Sequence, residues 1–237
     1  MVSTYGIPEG LGLDRVSKSN YGSPYYEVVI GISIIIPLGD IVSYNSVGGD
    51  KTLYDEWCQK HGDMSYNRKE EYKIGDTPPH EFVAADYTAI EIVSDTDWDT
   101  EHPAGTSLAD IAMFYSASPI RYIQSGYSRE YDWSDTPMPG YVYKHMQNWT
   151  HLRLRDGIYK GKTPFYPVKK LASELKPEDM VLLGSGDLMY GSRGGRTPIG
   201  FLEFTTRPTK NKTHNITVTL TTDEGEVFSD TIQMVFE

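Results

Sequence analysis

Residues Ile216-Thr-Val-Thr-Leu-Thr-Thr-Asp-Glu-Gly-Glu-Val-Phe-Ser-Asp-Thr-Ile-Gln-Met-Val-Phe236 decide the fold class. Ile216, Val218 and Leu220 alternate with Thr217, Thr219 and Thr221, the period of two that puts apolar side chains on one face of a pleated strand. Phe228, Ile232, Met234 and Phe236 offer a matching face on the return. Between them Asp223-Glu-Gly225 supplies an acid that tolerates turn geometry and a glycine free to take positive φ. A lone hairpin is marginal in water, so this one is expected to lie on a larger sheet or a second sheet.

Working outward, Gly200-Phe-Leu-Glu-Phe204 reads as a strand leading into the hairpin, and Gly184 to Gly195 as a glycine-rich loop after a strand at Met180 to Leu183. Lys169 to Leu175 reads as one or two helical turns stopped ahead of Pro177. Strands are expected near Ile120 to Ile123, Tyr141 to Lys144 and Leu152 to Leu154. Thr106 or Ser107 is placed to N-cap a short helix through Leu108, Ile111 and Met113. Ala89-Ile-Glu-Ile-Val93 alternates as a strand does. In the first half, Leu53 to His61 has helical spacing with Gly62 as its stop, and residues 63–81, ending in Pro78-Pro79, read as a loop or linker. Val28 to Ile36 is an uncharged run of Ile and Val that suggests a strand buried on both faces, ended by Pro37. It is far short of the roughly 20 residues of a membrane helix.

The expectation is a mainly β fold, an antiparallel β-sandwich with one or two short helices. Residues 1–26, rich in Gly, Pro and Tyr, form an extended lead-in that carries little core, and 27–237 form one β-rich domain, with 63–81 as a candidate sub-boundary. Lys+Arg 22 against Asp+Glu 33 gives a net charge of −11. That balance lacks the clustered cations a nucleic-acid backbone or an anionic lipid surface requires. Cys58 is the only cysteine, so neither an intrachain disulfide nor a CxxC metal knuckle forms.

From about Asp86 onward, one set of phrases goes together. These are Ile90-Glu-Ile92, Ser94-Asp-Thr-Asp-Trp-Asp-Thr-Glu-His-Pro-Ala-Gly-Thr-Ser-Leu-Ala-Asp-Ile111, Leu171-Ala-Ser-Glu-Leu175, Thr205-Thr-Arg-Pro208 and Thr213-His-Asn-Ile-Thr-Val-Thr-Leu220. In their order they resemble a group of uncharacterised lipoproteins exported by Bacteroidetes bacteria, over roughly the last two-thirds of the chain. The resemblance implies a β-rich fold and export to the outer membrane surface or the periplasm. It supplies no catalytic residue. Members are anchored by a lipidated cysteine after a signal peptide; as neither occurs here, the resemblance implies a trimmed mature form.

The chemistry-bearing candidates are few. Asp95, Asp97, Asp99 and Glu101 alternate like the first ligands of a calcium loop, but Thr100 and Thr106 stand where an EF-hand needs glycine and a bidentate glutamate. The alternative is a solvated acidic loop. Phe114, Tyr115, Tyr122, Tyr127, Tyr131, Trp133, Tyr141, Tyr143 and Trp149 crowd one segment. They either pack the core or offer rings for stacking, with Tyr127, Tyr131, Trp133, Tyr141 and Trp149 as the ligand-binding candidates. The six histidines form no HExxH pattern, Gly184-Ser-Gly186 lacks the surroundings of a nucleophile elbow, and Gly191 to Arg196 is a weak anion loop. Cys58 reads as a buried, inert thiol. The expectation is therefore a non-catalytic, cofactor-free protein that binds a glycan or a protein partner. The rival is a glycan-acting hydrolase with its carboxylates among Asp132, Asp135 and Asp156.

Overall fold

The structure is a computed structural model that describes residues 2–18, 28–37, 40–43, 50–63, 80–150, 153–155, 158–184 and 196–236. The first half holds β1 (Val2–Gly6), β2 (Gly10–Ser17), β3 (Val28–Ile35), β4 (Ile41–Ser43), α1 (Lys51–Lys60), β5 (His80–Val83), β6 (Tyr87–Ser94) and β7 (Ala112–Ser118). There follow α2 (Ile120–Gln124), β8 (Tyr131–Asp132), α3 (Gly140–Thr150), β9 (Arg153–Arg155), β10 (Ile158–Lys160), β11 (Lys162–Thr163) and β12 (Tyr166–Leu171). The chain ends with β13 (Arg196–Phe204), β14 (Thr213–Thr222) and β15 (Val227–Val235).

β14 and β15 form the expected hairpin, with Ile216 opposite Ile232 and Leu220 opposite Phe228. Gly225 closes the turn at φ +86°, a value that costs a Cβ-bearing residue a clash. The hairpin lies on β6 in a three-stranded sheet, and this sheet faces a five-stranded sheet ordered β12-β7-β13-β3-β2. Ile92, Ile216, Val218 and Leu220 from the first meet Leu11, Leu13, Ile30, Ile32, Ile34, Phe114 and Leu202 from the second in one apolar cluster. The result is a mainly β, sandwich-like fold.

The five-stranded sheet is buried on its other face too. Val29, Tyr115, Ala117 and Phe201 point there into a second cluster with Trp57 of α1, Val142 and Met146 of α3, and Tyr5 and Phe82. Tyr5 and Phe82 belong to a small sheet ordered β4-β1-β5, in which β1 and β5 run parallel. This second cover is why Val28 to Ile36 is apolar without alternation: Val29 at 2% exposure serves one layer, Ile30, Ile32 and Ile34 at 0% the other. Each such side chain contributes about 1.5–3 kcal/mol of burial. Pro198 sits at a register shift of β13 against β3, and Pro167 lies on the edge strand β12, both places where a missing N–H is tolerated.

Several expectations are corrected. Within the lead-in, residues 2–17 are not a bystander: β2 completes the five-stranded sheet and buries Leu11 and Leu13, and β1 buries Val2 and Tyr5. The glycine and proline density hid the strands. β2 is also stitched to β15, with Leu13 N donating to Asp230 Oδ2 at 2.8 Å and Arg15 Nε to Gln233 O at 2.8 Å. Ile120 to Ile123 and Tyr141 to Lys144 are helical, not extended, so three α-helices occur among the described residues instead of one or two. Ser107 to Ile111 turns without forming a helix, because Leu108 N is drawn to Ile92 O and Ile111 O accepts from Thr205 N. Lys169 to Leu171 continues β12, and only Ala172–Glu174 makes a 3₁₀ turn. Met180 to Leu183 contributes a single bridge, Val181 to Asp86, and no strand. The Leu53 helix is present as α1, capped by the Asp50 carboxylate on Thr52 N and Leu53 N. The 63–81 loop and the Gly184 to Gly195 loop fall mostly outside the described residues.

Candidate functional site

The segment after β7 builds a half-exposed aromatic patch. Ser118 Oγ accepts from Ile120 N at 3.3 Å and starts α2, which sends Ile123 inward and leaves Tyr122 half-exposed. The helix ends through Gly126 at φ +68° and then Tyr127 at φ +63°. A left-handed tyrosine costs about 1 kcal/mol or more relative to ordinary backbone. It is held there by Tyr127 N donating to Tyr122 O at 2.9 Å. Its hydroxyl adds two bonds, donating to Asp63 Oδ2 at 2.7 Å and accepting from Val2 N at 3.0 Å.

The two rings meet edge to face at 5.3 Å and border an apolar patch. Buried Phe82, Phe165, Ile123 and Pro119 form its floor, and half-exposed Tyr122, Tyr127 and Pro164 its rim. The lining side chains close on one another and leave no space as large as a water molecule between them, so this is a packed aromatic patch with a half-exposed rim and not a cavity that encloses a ligand.

Beside it runs a strip of cations on rings. Arg121 lies 3.7 Å over Tyr166, Tyr166 meets Tyr131 edge-on at 5.3 Å, and Arg129 lies 5.3 Å over Tyr131. The Tyr131 hydroxyl is buried without a partner. Of the aromatic candidates, Tyr127 and Tyr131 thus belong to one surface. Trp133 does not: it is 1% exposed, and its Nε1 donates to Phe165 O at 2.9 Å. Tyr141 is also interior, donating to Glu203 Oε2 at 2.7 Å. Trp149 falls on α3, and its side chain lies outside the described part. Tyr122, Phe82 and Phe165 complete the surface from segments whose proximity no local pattern announces.

Glu203 is a second polar centre. Burial pushes its carboxyl up, but Lys18 at 2.5 Å, Tyr141, and Tyr115 at 3.2 Å donate to it and hold it below the usual range. Burial and Glu203 in turn push both tyrosines up. With three donors satisfied, this carboxylate is a structural anchor. A third centre is His61, whose Nε2 reaches both Asp86 oxygens at 2.9 and 3.0 Å and whose ring packs against those of Trp57 and Tyr5. Lys60 bridges Asp86 at 3.2 Å and Asp223 at 2.8 Å. Burial raises Asp86, and these partners outweigh it to leave the carboxyl low. His61 Nδ1 has no hydrogen-bond partner, so the pair lacks the hydroxyl or thiol that a nucleophilic dyad activates. Ser94 and His214 lie 2.8 Å apart, but both are buried and His214 Nε2 faces Asn211 O, which makes them core polar groups.

The acidic run does not converge. Asp95 accepts from Asn215 N and Nδ2, Asp97 from Ala104 N and Lys210, and Asp99 from Glu101 N, His102 N and His102 Nδ1. Glu101 is exposed. The loop folds on its own carboxylates around Trp98, which packs 4.5 Å from Phe204 and 4.9 Å from Phe236. Among the described residues no group of three or more His, Cys, Asp or Glu is placed to hold a metal. Asp132 is exposed and caps Ser134 N, Asp135 is exposed, and Asp156 lies outside the described residues, as do Ser185 and Gly191 to Gly195. Cys58 is buried, which pushes its thiol up to about 12. No described helix is long and apolar enough to cross a membrane. Comparison with family models, curated proteins and solved structures gives no match, so what this surface does is read from its geometry.

Proposed function

We propose a non-catalytic exported binding protein, at the outer membrane surface or in the periplasm, whose Tyr122–Tyr127 rim offers an apolar patch to a protein partner. The observation that carries the reading is the rim itself: two tyrosine rings, one fixed in a strained left-handed backbone, border an apolar patch. Such strain persists where the surroundings over-determine it, and it clusters at binding sites. The apolar patch favours a protein side chain over a sugar, because Tyr127 has already committed its hydroxyl to Asp63 and Val2. Export is supported by the resemblance of the last two-thirds of the chain to exported lipoproteins of Bacteroidetes.

The test is to pan a displayed peptide library on the whole chain and on Tyr122→Ala. The half-exposed ring can be removed with little loss of core, so both should melt alike. Peptides with a Pro, Leu or aromatic anchor are expected to enrich on the unaltered chain and to be lost on Tyr122→Ala. Tyr122-dependent hits on a glycan array in place of peptides would move the assignment to a sugar. Release of reducing ends from a polysaccharide would move it to the hydrolase.

A further inference from the structure

His102 is 8% exposed and has an acid on each ring nitrogen. Its Nδ1 lies 2.9 Å from Asp99 Oδ1, and its Nε2 lies 3.2 Å from both carboxylate oxygens of Asp110. An ionised carboxylate only accepts hydrogen bonds, and a neutral imidazole carries a single N–H. Both contacts are favourable together only when both nitrogens hold a proton. We infer that His102 is a protonation latch: as an imidazolium it clasps Asp110 to Asp99 and closes the exposed loop 103–109, and it releases Asp110 when it loses its proton.

The proton that leaves is the one on Nε2. Asp99 Oδ1 also accepts from Glu101 N and His102 N at 2.8 Å each, which fixes it against Nδ1, and its contact with the ring is the shorter of the two. The Asp110 side chain is 61% exposed and, among the described residues, has His102 as its sole partner. A bare Nε2 turns a lone pair on both its oxygens, and the carboxylate swings out to water. The clasp joins positions eight apart in the chain. Between its ends, residues 103–107 are exposed and rest on Ala104 N donating to Asp97 Oδ1 and Gly105 N to Ser94 O, both at 2.8 Å.

Among the described residues no other charge pairs with these groups. Neither Asp99 nor Asp110 meets a lysine or arginine. Asp97 is engaged with Lys210 of the β13–β14 connection, Asp95 with Asn215 of β14, and Glu101 is exposed. His214 of β14, the histidine beside Trp98, is held by Ser94 Oγ and Asn211 O. Because the two acids sit on different ring nitrogens, no single ion could reach both of them and the ring, and no metal cluster occurs among the described residues. Burial favours the neutral ring, but Asp99 and Asp110 outweigh it and raise its proton affinity above the ordinary value. The clasp therefore contributes its stability in full below the unfolded histidine value of about 6.5 and loses it as pH rises through the folded value. This device is independent of the aromatic rim and of what binds there.

The test follows the His102 ring nitrogens by NMR between about pH 5 and 9, on the whole chain and on Asp110→Asn, with His102→Gln to assign the signals. Both nitrogens are expected to be protonated at about pH 6.5, and the titration midpoint should lie above that value. In step with the titration, amide-exchange protection at Ala104 and Gly105, corrected for the intrinsic rise of exchange with pH, should fall by up to about fivefold. That is the factor set by an exposed ion pair of up to about 1 kcal/mol at about 1.4 kcal/mol per tenfold. Asp110 is exposed, so Asp110→Asn should fold, and its amide can accept from an N–H or donate to a bare nitrogen. Protection in that variant should show no step, and its His102 midpoint should fall. A neutral ring at about pH 6, a midpoint unmoved by Asp110→Asn, or protection that stays flat through the titration would each overturn the latch.

Discussion

Replacing Tyr127 by Phe keeps the ring on the rim and removes only its hydroxyl, which separates what shapes the patch from what holds it. The hydroxyl is bonded on both sides, to Asp63 Oδ2 at 2.7 Å and from Val2 N at 3.0 Å. Asp63 is 1% exposed, and a hydrogen bond to a buried charged acceptor is worth about 1.5–3 kcal/mol. Asp63 keeps other partners, which argues for the lower end. Val2 N loses its acceptor in a partly buried place, which adds about 1 kcal/mol. The total is about 2.5 kcal/mol, and at about 2–4 °C per kcal/mol for a chain of this size the melting temperature should fall by about 5–10 °C. Thermal denaturation followed by circular dichroism reads the shift, and amide hydrogen exchange should show β1 opening first, because Val2 begins it. Peptide enrichment should survive, as the ring remains. A melting temperature within about 2 °C of the unaltered chain would refute the reasoning, since it would mean that the hydroxyl does not tie β1 to the end of α1.

Two further outcomes follow from the packing. At Gly200 an added Cβ would lie 2.8 Å from the Phe114 ring and 2.9 Å from Tyr115 O, so Gly200→Ala should cost about 1–3 kcal/mol as overpacking, while Gly140→Ala, with nothing within 4 Å, should be near neutral by the same melts. Asp86 is held low in the folded protein, so its pairing contributes stability above the unfolded carboxylate range near pH 4 and loses it as pH falls through the folded value. Asp86→Asn should therefore melt lower than the unaltered chain at about pH 6, and the gap should close toward about pH 3; a gap constant with pH would sink the assignment.

The parts of the fold that were legible are those whose burial pattern is local. The period of two in β14 needs only its own residues, and the unbroken apolar run of β3 needs only the rule that a strand covered on both faces has no polar side. α2 and α3 fail that condition. Their Tyr122, Tyr141 and Tyr143 favour strands in isolation, and the competing helical signals, Ile120 with Ile123 and Val142 with Met146, are only one turn apart. What tips them is the open face of the five-stranded sheet, which Val142 and Met146 cover at 0% exposure. That face is assembled from β3, β7 and β13, strands far apart in the chain, so no window around residue 142 contains the reason for the helix.

The same distinction separates the site candidates. Trp133 and Tyr131 are two residues apart and equally aromatic, yet one is core and the other lies under Arg129 at the surface, because Phe165 O meets only the indole. The acidic run shows how a spacing argument depends on backbone state. Carboxylates at alternate positions share a face only while the chain stays extended, and here β6 ends at Ser94 and the chain bends from Asp95 onward, with Asp99 closing a further turn by accepting from Glu101 N and His102 N. Asp97 then turns to Ala104 N and Lys210, and Asp95 to Asn215, so the charges disperse before they could gather around a cation. The carboxylate oxygens that would have ligated an ion are the ones that make the turn. A loop that uses its acids to fold leaves few of them to bind.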